Sequence, residues 1–156
     1  AVKRPDPVMF LEYWKNPENT TRKFIDENLL TGDMAKMDGD GYFWFNGRSD
    51  DIITSSGYRI GPAEIEDCIM KHPAVAMVAV IGAPDPLRTE VVKAFIVLKA
   101  DQSPSLSLEE EIRSFVKTRL AAYEYPRKIE FVNDLPMTVT GKIMRKKLKE
   151  KEEESR

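Results

Sequence analysis

The sequence contains one cysteine, one histidine and no long apolar run among its 156 residues. A single cysteine, Cys68, cannot form a disulfide within the chain, so we expect a reducing compartment. The spacing of histidine, cysteine and carboxylate residues indicates no metal site. No apolar run is long enough to cross a bilayer, and no signal-peptide pattern is present. We therefore expect a cytoplasmic protein without a membrane partner, and the mitochondrial matrix fits the same features.

Excess charge of one sign is also lacking, because 24 basic residues face 26 acidic ones. A net charge of −2 gives no reason to expect nucleic acid as a partner. The bases near the end of the chain are followed directly by three glutamates, which cancel their field. All of these bases except Lys142 are interpreted as a solvated helix face: Arg145, Lys146, Lys147, Lys149 and Lys151.

Lys142 lies in the stretch TVTGKIMRKKL (138–148), which has some features of a phosphate-binding loop. Such a loop needs G-x-x-x-x-G-K-[ST]. Pro136 stands where the first glycine is required, and Ile143 stands where the serine or threonine is required. The pattern excludes a phosphate-binding loop and leaves a single lysine on a loop before a helix, which is a mobile point charge.

The first part of the chain alternates short apolar segments with turn signals. Residues 9–15 and 19–27 are predicted to form two short helices, separated by the Asn-Pro pair at 16–17. The DGDG sequence at 38–41 predicts a turn, so residues 34–47 are expected to form a β-hairpin. These elements bury too little apolar surface to close a core by themselves.

From residue 50 onward the pattern predicts a compact α+β domain, a small sheet with helices packed on it. Continuous apolar segments indicate strands that are buried on both faces. The predicted order is β-β-α-β-β-α-β-α: a hairpin at 50–60, a helix opened by Pro62 and ended by Pro73, strands at 74–82 and 91–100, a helix at 108–120, a strand at 127–132 and a charged helix from Lys142.

Three stretches carry a resemblance that covers nearly the whole chain. They are TGDMAKMDGDGYFWFNGRSDDIITSSGYRIGPAEIED, HPAVAMVAVIGAPDPLRTEVVKAFIVLK and YPRKIEFVNDLPMTVTGKIMRKKL. In this order and spacing they resemble the C-terminal end of adenylate-forming acyl-CoA synthetases, most of all the medium-chain acyl-CoA and acetate-CoA ligase branch. The resemblance implies that residues 1–49 are the tail end of a large N-terminal domain, a helix-plus-hairpin remnant. Residues 50–156 would then be the mobile C-terminal domain.

The family resemblance implies a reaction in two steps. A carboxylic acid attacks the α-phosphate of ATP, which gives an acyl-adenylate and pyrophosphate. The C-terminal domain then rotates, and coenzyme A takes the acyl group and releases AMP. Mg²⁺ would accompany ATP. The ATP phosphate loop, the adenine-binding segment and the acyl pocket lie upstream in relatives, so we expect this chain to be inactive without a large N-terminal domain.

The resemblance also assigns the residues of the adenylation step. Lys142 matches the catalytic lysine, whose ammonium stabilises the charge of the transition state. A lysine acyltransferase would remove that charge and a deacylase would restore it. Asp33 matches a carboxylate that accepts hydrogen bonds from the ribose hydroxyls. Arg48 matches a nucleotide contact, and Asp50 matches the hinge of the domain rotation.

The remaining assignments concern coenzyme A. Ser56, Gly57, Tyr58 and Arg59 match the loop beside the pantetheine tunnel, where a missing Cβ leaves room for a thin ligand. Arg59 matches a phosphate-side contact that depends on the domain orientation. Two further cations, Arg88 and Lys117, match positions at the nucleotide end of coenzyme A.

The sequence departs from the family pattern near residues 121–126 and at Met137. Ala122 stands where a proline is expected, and Glu124 stands where relatives have a base, which puts a coenzyme A contact there in doubt. Met137 replaces a frequent lysine or arginine. None of these three positions bears on the assignment of Lys142.

Other chemically capable residues are expected to be structural. His72 follows an apolar helix face and is expected to pack or cap, and Cys68 is expected to be inert. Trp14, Trp44 and Phe45 are expected to pack rather than to stack on a ligand.

Two alternative functions stay open at the level of sequence. An adenylation domain could pass its acyl group to the phosphopantetheine of a carrier protein. A binding module without catalysis could keep the fold alone, although it would not need the side chains assigned above.

Overall fold

The computed structural model describes residues 1–154 and divides into two compact units. Unit one is Ala1–Ser49, and unit two begins at Asp50. No helix within residues 1–154 is both long enough and apolar enough to cross a membrane.

Unit one consists of small sheets and one short helix. Strands β1, β2 and β3 form a three-stranded sheet in the order β1-β3-β2. Strands β4 and β5 form a separate antiparallel hairpin, which confirms the hairpin predicted around the DGDG turn. The elements are β1 (Val2–Lys3), α1 (Pro17–Arg22), β2 (Phe24–Ile25), β3 (Asn28–Leu29), β4 (Asp33–Met37) and β5 (Phe43–Arg48).

The two helices predicted at 9–15 and 19–27 are wrong in different ways. Residues 9–15 form no helix, and Lys15 adopts a φ of 52°, which interrupts a helical path. The following helix begins at Pro17, because the side chain of Asn16 caps it by accepting the Asn19 N–H. It ends at Arg22, and the residues that follow form the β2–β3 hairpin instead of continuing the helix to residue 27.

The hairpin aromatic residues are exposed, so their predicted packing role is wrong within this chain. Trp44 is 63% exposed and Phe45 is 66% exposed on β5, and Trp14 is 83% exposed. A two-stranded ribbon supplies no second layer within residues 1–49 to cover its faces. The Trp44 indole instead donates to the Asp38 carboxylate at 2.8 Å, which with backbone N–H groups lowers the pKa of Asp38.

Unit two is an α+β domain with the predicted β-β-α-β-β-α-β-α order. Strand β9 pairs antiparallel with β8 and β6 and parallel with β10, and β6 pairs with β7. The fold class predicted from the sequence is therefore confirmed. The elements are β6 (Ile53–Ser55), β7 (Tyr58–Ile60), α2 (Pro62–Ile69), β8 (Val75–Asp85), β9 (Thr89–Leu98), α3 (Leu106–Lys117), β10 (Lys128–Phe131) and α4 (Arg145–Glu154).

Strands β8 and β9 are buried on both faces, because their side chains alternate between two apolar clusters. Val78 and Val80 belong to the larger cluster, which includes buried residues of α2 and α3. Ala79 and Ile81 belong to the smaller cluster, which is completed by Phe95, Leu135 and Leu148. This alternation is the period of two that a strand imposes, and the prediction of doubly buried strands is confirmed.

Cys68 and His72 both lie in the core region, which confirms their predicted structural role. Burial raises the pKa of the Cys68 thiol, so the side chain stays neutral. His72 lies just beyond α2, where its Nδ1 accepts the Ala74 N–H at 3.3 Å and its ring meets Phe115 edge-on.

Helix α4 is held mainly by charge rather than by apolar burial. Lys93 on β9 is buried and forms ion pairs with Glu130 at 2.8 Å and with Glu152 of α4. Desolvation lowers the pKa of Lys93, but the hydrogen bonds from both carboxylates outweigh it and raise that pKa above its usual value. Lys93 therefore stays charged at neutral pH and ties α4 to the sheet.

We predict that apolar burial on α3 stabilises unit two. Ile112→Ala should lower the free energy of unfolding by about 2–5 kcal/mol, because the Ile112 side chain is 0% exposed in the larger cluster. Leu106→Ala on the same helix, where the side chain is 85% exposed, should change it by less than about 0.5 kcal/mol. Urea unfolding measures both, and equal losses would contradict this packing.

Candidate functional site

The loop that carries Lys142 is a tight, hydrogen-bonded turn. Met137 and Ile143 form an antiparallel bridge at its base. Thr138 N donates to Lys142 O at 2.8 Å, and Lys142 N donates to Thr138 Oγ1 at 3.0 Å. Gly141 has a φ of +81°, a conformation that glycine adopts at little cost. The backbone at Lys142 is therefore fixed by the loop itself.

The side chain of Lys142 projects from this fixed backbone into solvent. Within residues 1–154 its ammonium makes no hydrogen bond or ion pair. The loop is joined to the smaller core cluster on both sides, through buried Leu135 before it and partly buried Ile143 after it. The arrangement presents one unneutralised positive charge at a defined place on the domain.

The second group of predicted residues meets at the β6–β7 turn. Gly57 has a φ of +86°, and a Cβ at this position would meet no atom of the chain within 4 Å. The positive φ gives a reason for glycine here that does not depend on a ligand, and the role of Gly57 beside a ligand stays a prediction. Arg88 braces the turn, since its guanidinium donates to Ser56 Oγ at 3.0 Å and its carbonyl accepts the Ser56 N–H.

Tyr58 and Tyr123 form a stacked pair beside this turn. Their ring centroids lie 4.2 Å apart with an interplanar angle of 11°, and both rings are half exposed. No local pattern in the sequence indicates Tyr123, because it lies 65 positions from Tyr58 and only the fold brings them together. Arg59, the next residue on β7, is exposed and has no hydrogen bond or ion pair within residues 1–154.

Lys117 is the last residue of α3. Its ammonium is 4.5 Å from the centroid of the Tyr125 ring, a cation–π contact. Glu124, which departs from the family pattern, accepts the Ala121 N–H at 2.9 Å and so closes the turn before Tyr125. Its carboxylate thus has a local structural partner.

In unit one, Asp33 and Arg48 are cross-strand neighbours on β4 and β5. Arg48 donates to Asp33 Oδ1 at 3.4 Å and to the Thr31 carbonyl at 3.2 Å. The Asp33 side chain is 48% exposed, so oxygen atoms of this carboxylate can also accept hydrogen bonds from a ligand. The two residues predicted to meet a nucleotide are therefore adjacent.

Two side chains of α4 bind the first two residues of unit two. Lys149 Nζ donates to the carbonyl of Asp50 at 2.9 Å, and Arg145 Nη1 donates to Asp51 Oδ2 at 3.2 Å. These contacts correct the interpretation of the late bases as a solvated face: it is wrong for Arg145 and Lys149, and it is right for Lys151, which is exposed although it pairs with Glu130 at 3.0 Å. It holds for Lys146 and Lys147, which are exposed.

A family model described as the AMP-binding enzyme C-terminal domain matches residues 64–142. The chain belongs to this family. The match begins within α2 and ends at Lys142, so it includes β8, β9, α3, β10 and the loop as far as Lys142. The resemblance inferred from the sequence motifs is thereby confirmed.

Similar proteins include acyl-CoA synthetases and CoA ligases. The chain is 52% identical over 97% of its length to the mitochondrial acyl-coenzyme A synthetase ACSM1 of Homo sapiens, and 51% identical over 96% to the acetyl-coenzyme A synthetase of Bacillus subtilis. A crystal structure of the anthranilate CoA ligase AuaEII with anthranoyl-AMP superposes over 90% of this chain, with a TM-score of 0.79 and 47% identity.

The chain spans about a quarter of the length of the relatives it matches. It covers 27% of the human synthetase, 26% of the Bacillus synthetase and 27% of the AuaEII chain. The comparison therefore concerns the portion of those proteins that corresponds to this AMP-binding enzyme C-terminal domain and the residues before it.

We predict that the Thr138 hydroxyl fixes the backbone at Lys142. Thr138→Val removes the acceptor of the Lys142 N–H and should speed hydrogen exchange at that amide roughly five- to ten-fold, the effect of one hydrogen bond worth ~1 kcal/mol. Val139→Thr is the matched control, because Val139 is fully exposed next to it. Equal exchange rates in the two variants would contradict the proposed restraint.

Proposed function

We propose that this chain is the C-terminal part of an AMP-forming acyl-CoA synthetase, an acid–thiol ligase that activates a carboxylic acid with ATP and passes the acyl group to coenzyme A. The observation that carries the proposal is the Lys142 loop, a rigid turn with an unneutralised ammonium in a domain of the AMP-binding enzyme family. The synthetase and ligase names of the relatives support the reaction class.

Lys142 acts in the first half-reaction. A carboxylate oxygen attacks the α-phosphorus of ATP, and the bond from that phosphorus to the pyrophosphate oxygen breaks. Negative charge gathers on the attacking oxygen and the α-phosphate, and a fixed ammonium nearby lowers the energy of that arrangement. Lys142 contributes to this step by charge and position.

The braced β6–β7 turn acts in the second half-reaction. The thiol of coenzyme A attacks the acyl carbon of the adenylate, a thioester forms and AMP leaves. Gly57 leaves open space beside its backbone for the pantetheine arm. Arg59 offers an exposed cation for phosphate, and Arg88 and Lys117 add further positive charge for the nucleotide end of coenzyme A.

The remaining assignments complete the proposal. Asp33 accepts hydrogen bonds from the ribose hydroxyls while Arg48 orients its carboxylate. Asp50 supplies the hinge about which residues 50–156 rotate between the two half-reactions. Acylation of the exposed Lys142 by a lysine acyltransferase would switch off adenylation, and a deacylase would restore it.

Mg²⁺ would enter with ATP rather than through this chain. Within residues 1–154, no group of three or more histidine, cysteine or carboxylate residues could hold a metal ion. The residues described therefore give no fit for a resident metal, and no step proposed for them uses one.

Lys142→Ala tests the proposed function in the longer synthetase that the proposal requires. We expect pyrophosphate exchange, which reports adenylation, to fall by about 10²–10³. Thioester formation from supplied acyl-adenylate should stay within about two-fold of the parent, because the ammonium is needed only where charge builds on the α-phosphate.

Lys146→Ala is the matched control, since that side chain is exposed and lies four residues further on, in the first turn of α4. It should leave both half-reactions unchanged. If Lys142→Ala lowered the rates of both half-reactions equally, the role assigned to Lys142 would be wrong. Thioester formation that needs a carrier protein instead of coenzyme A would replace this proposal by the carrier-loading function.

Asp50→Pro tests the hinge. Proline fixes φ near −65°, so the variant should be held in the adenylating orientation. We expect pyrophosphate exchange to stay within a few-fold of the parent, while thioester formation from supplied adenylate falls at least about ten-fold. A variant that loses pyrophosphate exchange but still forms thioester would show that Asp50 is not a hinge of this kind.

A further inference from the structure

Arg145 joins three elements that are far apart in sequence. It is the first residue of α4 and lies three positions after Lys142. Its Nε and Nη2 donate to the two carboxylate oxygens of Glu66 at 3.2 and 2.5 Å, and its Nη1 donates to Asp51 at 3.2 Å. The three side chains are only 14–20% exposed. One guanidinium therefore binds α2 and the residue after the proposed hinge at the same time.

Glu66 is itself attached to the core sheet. Its Oε1 also accepts the backbone N–H of Val80 on β8 at 2.8 Å, and Val80 is fully buried. A planar guanidinium that donates side by side to one carboxylate is fixed in direction as well as in distance. Arg145 is thus attached through Glu66 to the buried middle of β8.

A second contact one helical turn later reinforces the first. Lys149 donates to the Asp50 carbonyl, so α4 holds both of the first two residues of unit two. The rest of α4 has its own attachments, since Leu148 is buried and Glu152 pairs with Lys93. Loss of Arg145 should therefore release the first turn of α4, which directly follows the Lys142 loop, without detaching the helix.

We propose that Arg145 is a positioning residue that locks the Lys142 loop to the Asp50–Asp51 segment. A neutral side chain at 145 would let the loop and this segment move independently. The catalytic meaning of this link rests on the function proposed above, whereas the mechanical link itself is a property of the 156-residue chain.

Hydrogen exchange on the 156-residue chain tests the mechanical link. In Arg145→Gln we expect exchange to rise about ten-fold in peptides covering 138–144 and 50–53, because charged hydrogen bonds are lost. Peptides from β9 should exchange as in the parent. Lys146→Gln, which removes a neighbouring cation whose side chain is 88% exposed, should leave all of these segments unchanged.

Asp51→Asn provides an independent test, because it weakens the ion pair between Arg145 and Asp51 without altering the sequence of α4. It should speed exchange at 138–144, although the two segments are about 90 positions apart. The proposal would be overturned if exchange in Arg145→Gln rose at 138–144 but not at 50–53. It would also be overturned if exchange in β9 rose as much as in these two segments. An unchanged 138–144 segment in Asp51→Asn would overturn it as well.

The catalytic meaning is tested in the longer synthetase. Arg145→Gln should lower kcat for pyrophosphate exchange about ten-fold, with KM for ATP and thioester formation from supplied adenylate within about two-fold. The kcat of Arg145→Lys should lie between those of the parent and Arg145→Gln. Lysine keeps the positive charge but cannot donate two parallel hydrogen bonds to one carboxylate as arginine does. Faster hydrogen exchange in Arg145→Gln with an unchanged kcat would refute the positioning role. A Lys142→Ala variant that keeps its adenylation rate would refute the proposed function and leave the mechanical link intact.

Discussion

The antiparallel ladder between β8 and β9 is the interaction on which the rest of unit two depends. It runs from Val75 paired with Leu98 to Asp85 paired with Thr89, and both of its faces are covered. One face supports α2 and α3 through a continuous apolar cluster. The other supports α4 and the segment that carries Lys142. The ladder therefore holds the β6–β7 turn and the Lys142 loop, which the proposal assigns to different half-reactions, in one rigid unit. Close-packed interiors of this kind resist deformation.

The two faces are closed by different physical means. The face under α2 and α3 is closed by apolar burial, whereas the face under α4 has a much smaller apolar cluster and relies on charged groups. Lys93, Glu130 and Glu152 form a partly buried network there, and Arg145 forms another with Glu66 and Asp51. Buried ion pairs often add little net stability, but they require one geometry. The charged face is the one that carries Lys142.

Local signals in the sequence were sufficient for much of the fold. The DGDG turn, the Gly-Pro helix start and the apolar strands each act within a few residues, and each led to a correct element. Residues 9–15 were misread because their apolar pattern competed with turn contacts that depend on Asp6 and Thr20. The partners of Arg145 lie 79 and 94 positions away, and Tyr123 lies 65 from Tyr58. No local pattern can reveal such contacts, since only the folded topology creates them.

The hydrogen-bonded turn at Met137–Ile143 limits how far the Lys142 ammonium can move. Its backbone is pinned by Thr138, so the volume that the Lys142 ammonium can sample is set by its own four-carbon stem and not by loop motion. A charge on so short a tether acts only on groups brought up to the domain surface. Under the proposed function, the orientation of unit two would therefore decide which bound group Lys142 acts on, because the reach of the lysine itself does not change.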